Sequence, residues 1–139
     1  MSPTRIEAAT GVPPAVAMTL PAVAGSVAEV RASIGSFLRD LELPQSTIHA
    51  AEVAVSEAAT NVVRHAYAPD SPGTVELHAD VEDDALEIVV CDNGRGFLPG
   101  TGDGVGAGLA LIAEMTDDFA ITARKPQGVE IWMRFVLAN

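Results

Sequence analysis

Glu57, Asn61 and His65 recur at four-residue intervals in Ser56-Glu57-Ala58-Ala59-Thr60-Asn61-Val62-Val63-Arg64-His65-Ala66. On a helix this spacing stacks them in one ridge, about 6 Å per step. Relative to Ile48 they fall at about 180°, 220° and 260°, beside the apolar stripe but off it, with Arg64 at about 160°. An acid, an amide, an imidazole and a guanidinium thus project from one rigid element. Phosphoryl transfer requires such a set: an oxygen ligand for Mg²⁺, a carboxylate that accepts a proton, and cations near the phosphates. The same spacing also describes a plain solvated helix face.

Two further segments carry chemistry. In Val90-Cys91-Asp92-Asn93-Gly94-Arg95-Gly96-Phe97, Asp92 continues the phase of Leu86, Ile88 and Val90, so its carboxylate is expected to point inward. A carboxylate there is costly unless it receives hydrogen bonds, and the N6 amine of adenine is one donor of the right kind. Gly94 and Gly96 permit tight turns and close approach of a ligand. Taken alone, the segment also fits an ordinary Asp-Asn-Gly turn. The third segment, Gly104-Val105-Gly106-Ala107-Gly108-Leu109, runs into a helix, where exposed N–H groups and the positive dipole end can cradle phosphate. It neither opens a compact βαβ unit nor contains a Walker lysine, which argues against dinucleotide and P-loop folds. Together the segments supply a metal ligand, an adenine acceptor and a phosphate cradle, three parts of one ligand: Mg²⁺-ATP.

Composition limits the alternatives. With 139 residues the chain suits one domain with a real core. It is 48% hydrophobic but only 4% aromatic, so that core must be built from Ala, Val, Leu and Ile. A net charge of −11 disfavours direct nucleic-acid binding and obliges an ATP site to bring its own cations, namely Mg²⁺, Arg64, His65 and a helix end. Cys91 is the only cysteine, which excludes an internal disulfide and four-cysteine zinc sites and makes it a buried small hydrophobe. Pro13, Pro14 and Pro21 interrupt the apolar run that mimics a signal peptide, and no stretch approaches the roughly 20 apolar residues of a bilayer span. A cytoplasmic protein without membrane contact is expected.

Several elements must position these residues. Residues 1–12 are expected to form a flexible tail, and Val16 to Pro21 a short edge strand. Ser26 and Glu29 suggest a capping box for a helix carrying Val27, Val30, Ile34, Leu38 and Leu41, stopped by Leu43-Pro44. A second helix is expected from Ser46 or Thr47 to about Ala66, with His49 on its surface, followed by a turn from Pro69 to Gly73. Thr74 to Asp80 and Ala85 to Cys91 alternate as a hairpin joined by Glu82-Asp83-Asp84. A loop from Gly94 to Gly108 then leads to a third helix with Leu109, Ile112 and Met115. Strands from Phe119 to Arg124 and Val129 to Leu137 complete the chain. This order predicts an α/β (α+β) two-layer sandwich, with helices on one face of a mixed, mostly antiparallel sheet.

Here the sequence resembles the histidine-kinase-like (GHKL) ATPases, and among them the anti-sigma factor serine/threonine kinases. Ser56 to Tyr67 is similar to their N box, Asp92 to Gly96 to their first glycine box, and Gly104 to Gly108 to their second. The resemblance implies a Bergerat ATP-binding fold over residues 13–139. It implies that Glu57 is the general base toward a protein Ser or Thr hydroxyl and that Asn61 is the Mg²⁺ ligand. Asp92 would contact adenine. Arg64, His65, Gly94, Gly96, Phe97, Gly104, Val105, Gly106, Ala107, Gly108 and Leu109 would complete the nucleotide site. The implied substrate is an anti-anti-sigma (STAS-type) factor, the second partner a sigma factor held inactive, and the assembly a homodimer. Two departures stand out: the lid between Phe97 and Gly104 is very short, and Gly128-Val129 replaces the Gly-Thr common near the adenine. The alternatives are a non-catalytic ATP-binding regulatory module and a detached catalytic domain of a sensor histidine kinase.

Overall fold

The computed structural model describes residues 15–68, 70–95 and 106–137. The expected tail at 1–12 lies outside them, as do Pro69, Gly96, Phe97, Gly104 and Val105. Strand β1 (Val16–Pro21) precedes helices α1 (Ala24–Asp40) and α2 (Gln45–Asn61). Helix α2 continues directly into a π-helical turn, Val62–Ala66. Then come β2 (Thr74–Glu82), β3 (Ala85–Asp92), α3 (Gly106–Met115), β4 (Asp118–Ala123) and β5 (Val129–Val136).

The strands form one sheet in the order β1-β2-β3-β5-β4, with every ladder antiparallel. Alternation does the sorting. Val75, Leu77 and Ala79 of β2, Leu86, Ile88 and Val90 of β3, and Ile131, Met133 and Phe135 of β5 share one face. Val30, Ile34 and Leu38 of α1, the Ala/Val/Ile stripe of α2 and Ile112 of α3 close over that face. The opposite face keeps a small cluster of Val89, Cys91 and Trp132, beside Ala120. Central β3 is therefore buried on both sides, and burial pushes the Cys91 thiol up to about 12. The expected two-layer arrangement of helices on one sheet face is what the chain adopts.

Local details depart from the sequence pattern. Ser26 does not cap α1: the helix begins two residues earlier, Val23 occupies the cap position, and Ser26 is buried. Nor does Leu43-Pro44 stop α1. Glu42 takes a left-handed conformation (φ 57°). Its N–H bonds to Arg39 O, and the Leu43 N–H bonds to Leu38 O. This is a Schellman turn built on a non-glycine residue. Pro44 instead caps the start of α2. The loop expected to reach Gly108 ends sooner, because Gly106, Ala107 and Gly108 already lie in α3.

Candidate functional site

Asp92 ends β3 with its side chain buried, as its phase requires. Its Oδ1 accepts the Gly94 N–H at 2.8 Å and the Val129 N–H at 3.3 Å. The hydrogen bonds that burial demands thus come from the chain, and its second oxygen stands outside both. Burial pushes the carboxyl above the usual range, opposed by these two N–H groups and by Arg124, and reinforced by Glu76. Val129 lacks a hydroxyl but contributes through its backbone.

The following residues are held as firmly. Arg124 Nη1 donates to Asp92 O and to Glu76 Oε2, each at 3.2 Å. Gly128 (φ +112°) faces that carbonyl, and any Cβ there would overlap it. Asn93 donates its N–H to the Tyr67 hydroxyl (3.0 Å) and accepts from Gln127 Nε2 (2.8 Å). Tyr67 in turn donates to Thr74 O at 2.6 Å. Gly94 packs directly on Ala66, leaving no room for a side chain. A recess of about 330 Å³ opens beside this turn, lined by Tyr67, Asn93, Gly94, Arg95 and Gln127 among others. Glu57, Asn61 and Asp92 do not line it.

The second end of the site is built by two helices. Glu57 and Asn61 lie one turn apart on α2, and Gly108 of α3 faces them. A Cβ on Gly108 would stand 3.1 Å from Glu57 Oε2 and 3.7 Å from Asn61 Oδ1. The helix N-terminus that begins at Gly106 is thereby brought against the acid and the amide. Asn61 is 8% exposed, and its Nδ2 is buried without a hydrogen-bond partner among the described residues. An orphaned buried donor costs about 1–3 kcal/mol, a cost that an acceptor such as a phosphate oxygen removes. Its Oδ1 is the kind of hard oxygen that Mg²⁺ takes. A cradle filled by any Cβ, an unpaired donor and a carboxylate fit Mg²⁺-ATP.

Glu57 and Asn61 keep the expected one-turn spacing on α2, and Arg64 and His65 follow them in the π-helical turn. Beyond Asn61 the widened π turn changes the phase, since its hydrogen bonds reach five residues rather than four. His65 is half-buried and Arg64 exposed. His65 enters the site through its carbonyl, which accepts from Arg95 Nε at 3.2 Å. Leu109 is half-buried in the first turns of α3.

The residue pattern gave no role to Tyr67, Arg95, Arg124 or Gln127. Tyr67 and Arg95 stood inside recognised segments and could have been suspected. Arg124 and Gln127 act 32 and 34 residues from their acceptors, a distance that local spacing does not reveal.

Comparison with known proteins agrees with this fold. Residues 20–135 match the histidine kinase-like ATPase domain model. A "Serine-protein kinase RsbW" of Halalkalibacterium halodurans is 38% identical over 85 residues, 61% of this chain and 51% of that protein. The chain thus spans about half of that relative's length. The protein of the same name from Staphylococcus epidermidis is 32% identical over 135 residues, covering 85% of this chain and 84% of its own. The crystal structure of RsbU and RsbW domains from Mycobacterium tuberculosis superposes with a TM-score of 0.70 at 23% identity, over 91% of this chain and 32% of that one, which speaks to the fold. With its sheet, its N-box helix and its buried Asp92 in place, the chain belongs to the histidine kinase-like ATPase domain family.

Proposed function

We propose that this protein is an ATP-dependent serine/threonine protein kinase that acts as an anti-sigma factor. The observation that carries the reading is the convergence of Glu57, the orphaned amide of Asn61 and the first turn of α3 at Gly108. The serine-protein kinase relatives support the reaction class. Mg²⁺-ATP, when bound, supplies the transferable phosphoryl group. Asp92 accepts the adenine amine, Asn61 holds the cation through Oδ1 and a phosphate oxygen through Nδ2, and the α3 N-terminus offers N–H groups to phosphate. By the family resemblance, Gly96, Phe97, Gly104, Val105, Gly106 and Ala107 are assigned to that cradle as well. Leu109, Arg64 and His65 are assigned to its border by the family resemblance, with Arg64 supplying positive charge. Glu57 takes the proton of the attacking Ser or Thr hydroxyl.

The substrate in this reading is an anti-anti-sigma factor of STAS type, and the second partner a sigma factor held inactive by a homodimer of this chain in the cytoplasm. Among the described residues, no helix is long and apolar enough to cross a membrane. Incubation with labelled ATP, Mg²⁺ and candidate partners, followed by phosphosite mapping, tests the assignment. Acid-stable phosphate on a partner Ser or Thr is expected. Nucleotide binding with no transfer to any partner would instead indicate a non-catalytic regulatory module.

A further inference from the structure

Arg95 stands exposed inside the glycine segment. It reaches back to the end of the N-box helix. Its backbone N–H donates to Ala66 O at 2.9 Å, and its Nε donates to His65 O at 3.2 Å. These carbonyls belong to the π-helical turn, whose last C=O groups have no partner within the helix. A guanidinium there also meets the negative end of the helix dipole. One residue further back, Gly94 presses on Ala66 so closely that no Cβ fits. One residue beyond the turn, Tyr67 takes the Asn93 N–H. The helix bearing Glu57 and Asn61 and the strand end bearing Asp92 are therefore fastened along Ala66–Gly94, with Arg95 closing one side and Tyr67 the other.

We propose that Arg95 is a positioning residue: by capping the π turn it sets the distance between Asp92 and the Glu57–Asn61 pair, without touching the nucleotide. The inference rests on the Mg²⁺-ATP reading of the site. A phosphate-binding arginine and a positioning arginine predict different losses. The first weakens ATP more than ADP, while the second weakens both by the same factor because it acts through the placement of the whole pocket.

The test compares wild type with Arg95→Gln and Arg95→Lys. Mg²⁺-ADP and Mg²⁺-ATP affinities come from calorimetry, and the nucleotide-free proteins are followed by hydrogen exchange. Arg95→Gln is expected to weaken both nucleotides equally, by about tenfold, and to speed exchange of the amides at 62–66 by a similar factor. Arg95→Lys, which keeps a charged donor, is expected to recover part of both effects. Loss confined to ATP, or unchanged exchange at 62–66, would overturn the proposal. If wild type binds neither nucleotide, the Mg²⁺-ATP reading fails, while the exchange measurement still decides whether Arg95 holds the turn. Should Arg95→Gln not fold, the Lys variant carries the comparison: a full wild-type profile without Nε at His65 O would also count against it.

Discussion

The two ends of the site are built on opposite terms. At Asp92 the described groups are already engaged: the carboxylate by Gly94 and Val129, the carbonyl by Arg124, and the next peptide by Tyr67 and Gln127. At Asn61 a buried donor has no partner, and Gly108 leaves a gap before Glu57. A densely bonded turn thus sits beside a pair of helices held short of satisfaction. In the proposed reading, preorganisation at the first end reduces what ordering costs on binding, and the unmet donor at the second would be completed by the phosphates.

Substitutions can break or sharpen this contrast. Glu57→Ala should reduce phosphate transfer by about 10² to 10⁴ while nucleotide affinity persists. Transfer at the wild-type rate would remove the proposed base. Asp92→Asn should weaken nucleotide binding by roughly ten- to a hundredfold, because a charged acceptor is lost at the preorganised end. Equal calorimetric affinity of that variant and wild type would place adenine elsewhere. Two glycine substitutions probe the ends against each other. Gly128→Ala combines a positive φ with overlap on Asp92 O, so chemical denaturation should show a loss of about 1–3 kcal/mol together with weaker binding. Gly108→Ala should do the reverse to stability, adding up to about 1 kcal/mol as a better helix former. It should still lower Mg²⁺-ATP affinity by intruding on Glu57 and Asn61. If both variants behave alike, the contrast between the ends is wrong.

The smallest effect concerns pH. Asp92 binds its proton more readily in the folded chain than a free carboxylate does. On acidification it therefore loses its acceptor charge earlier than exposed carboxylates, and ATP affinity should fall as pH drops through that raised range. The linked effect on stability has the opposite sign. Protonated Asp92 favours the fold, and this contribution disappears as pH rises through the folded pKa. Nucleotide affinity that follows the ordinary carboxylate range would contradict the burial argument.

Much of this was legible from residue spacing. Period-two runs identified β2, β3 and β5, and the phase of Leu86, Ile88 and Val90 correctly turned Asp92 inward. Ser26 misled because its capping pattern with Glu29 is local, whereas its place on the buried face of α1 was decided by packing. The π turn at 62–66 was not legible, because a constant rotation per residue was extended through a turn that widens. The clamp on Asn93 was not legible at all: Tyr67 and Gln127 meet it from 26 and 34 residues away, and only the completed sheet brings them together.

That last feature bears on how the chain acquires its affinity. Apart from the local Gly94 N–H, every anchor of the Asp92 turn comes from a distant segment that must first be docked, so a partly folded chain has no complete socket to offer. Nucleotide uptake should then report on the finished molecule alone. At a hundredfold excess over its Kd, the ligand should hold the native state by about 2.7 kcal/mol against unfolding.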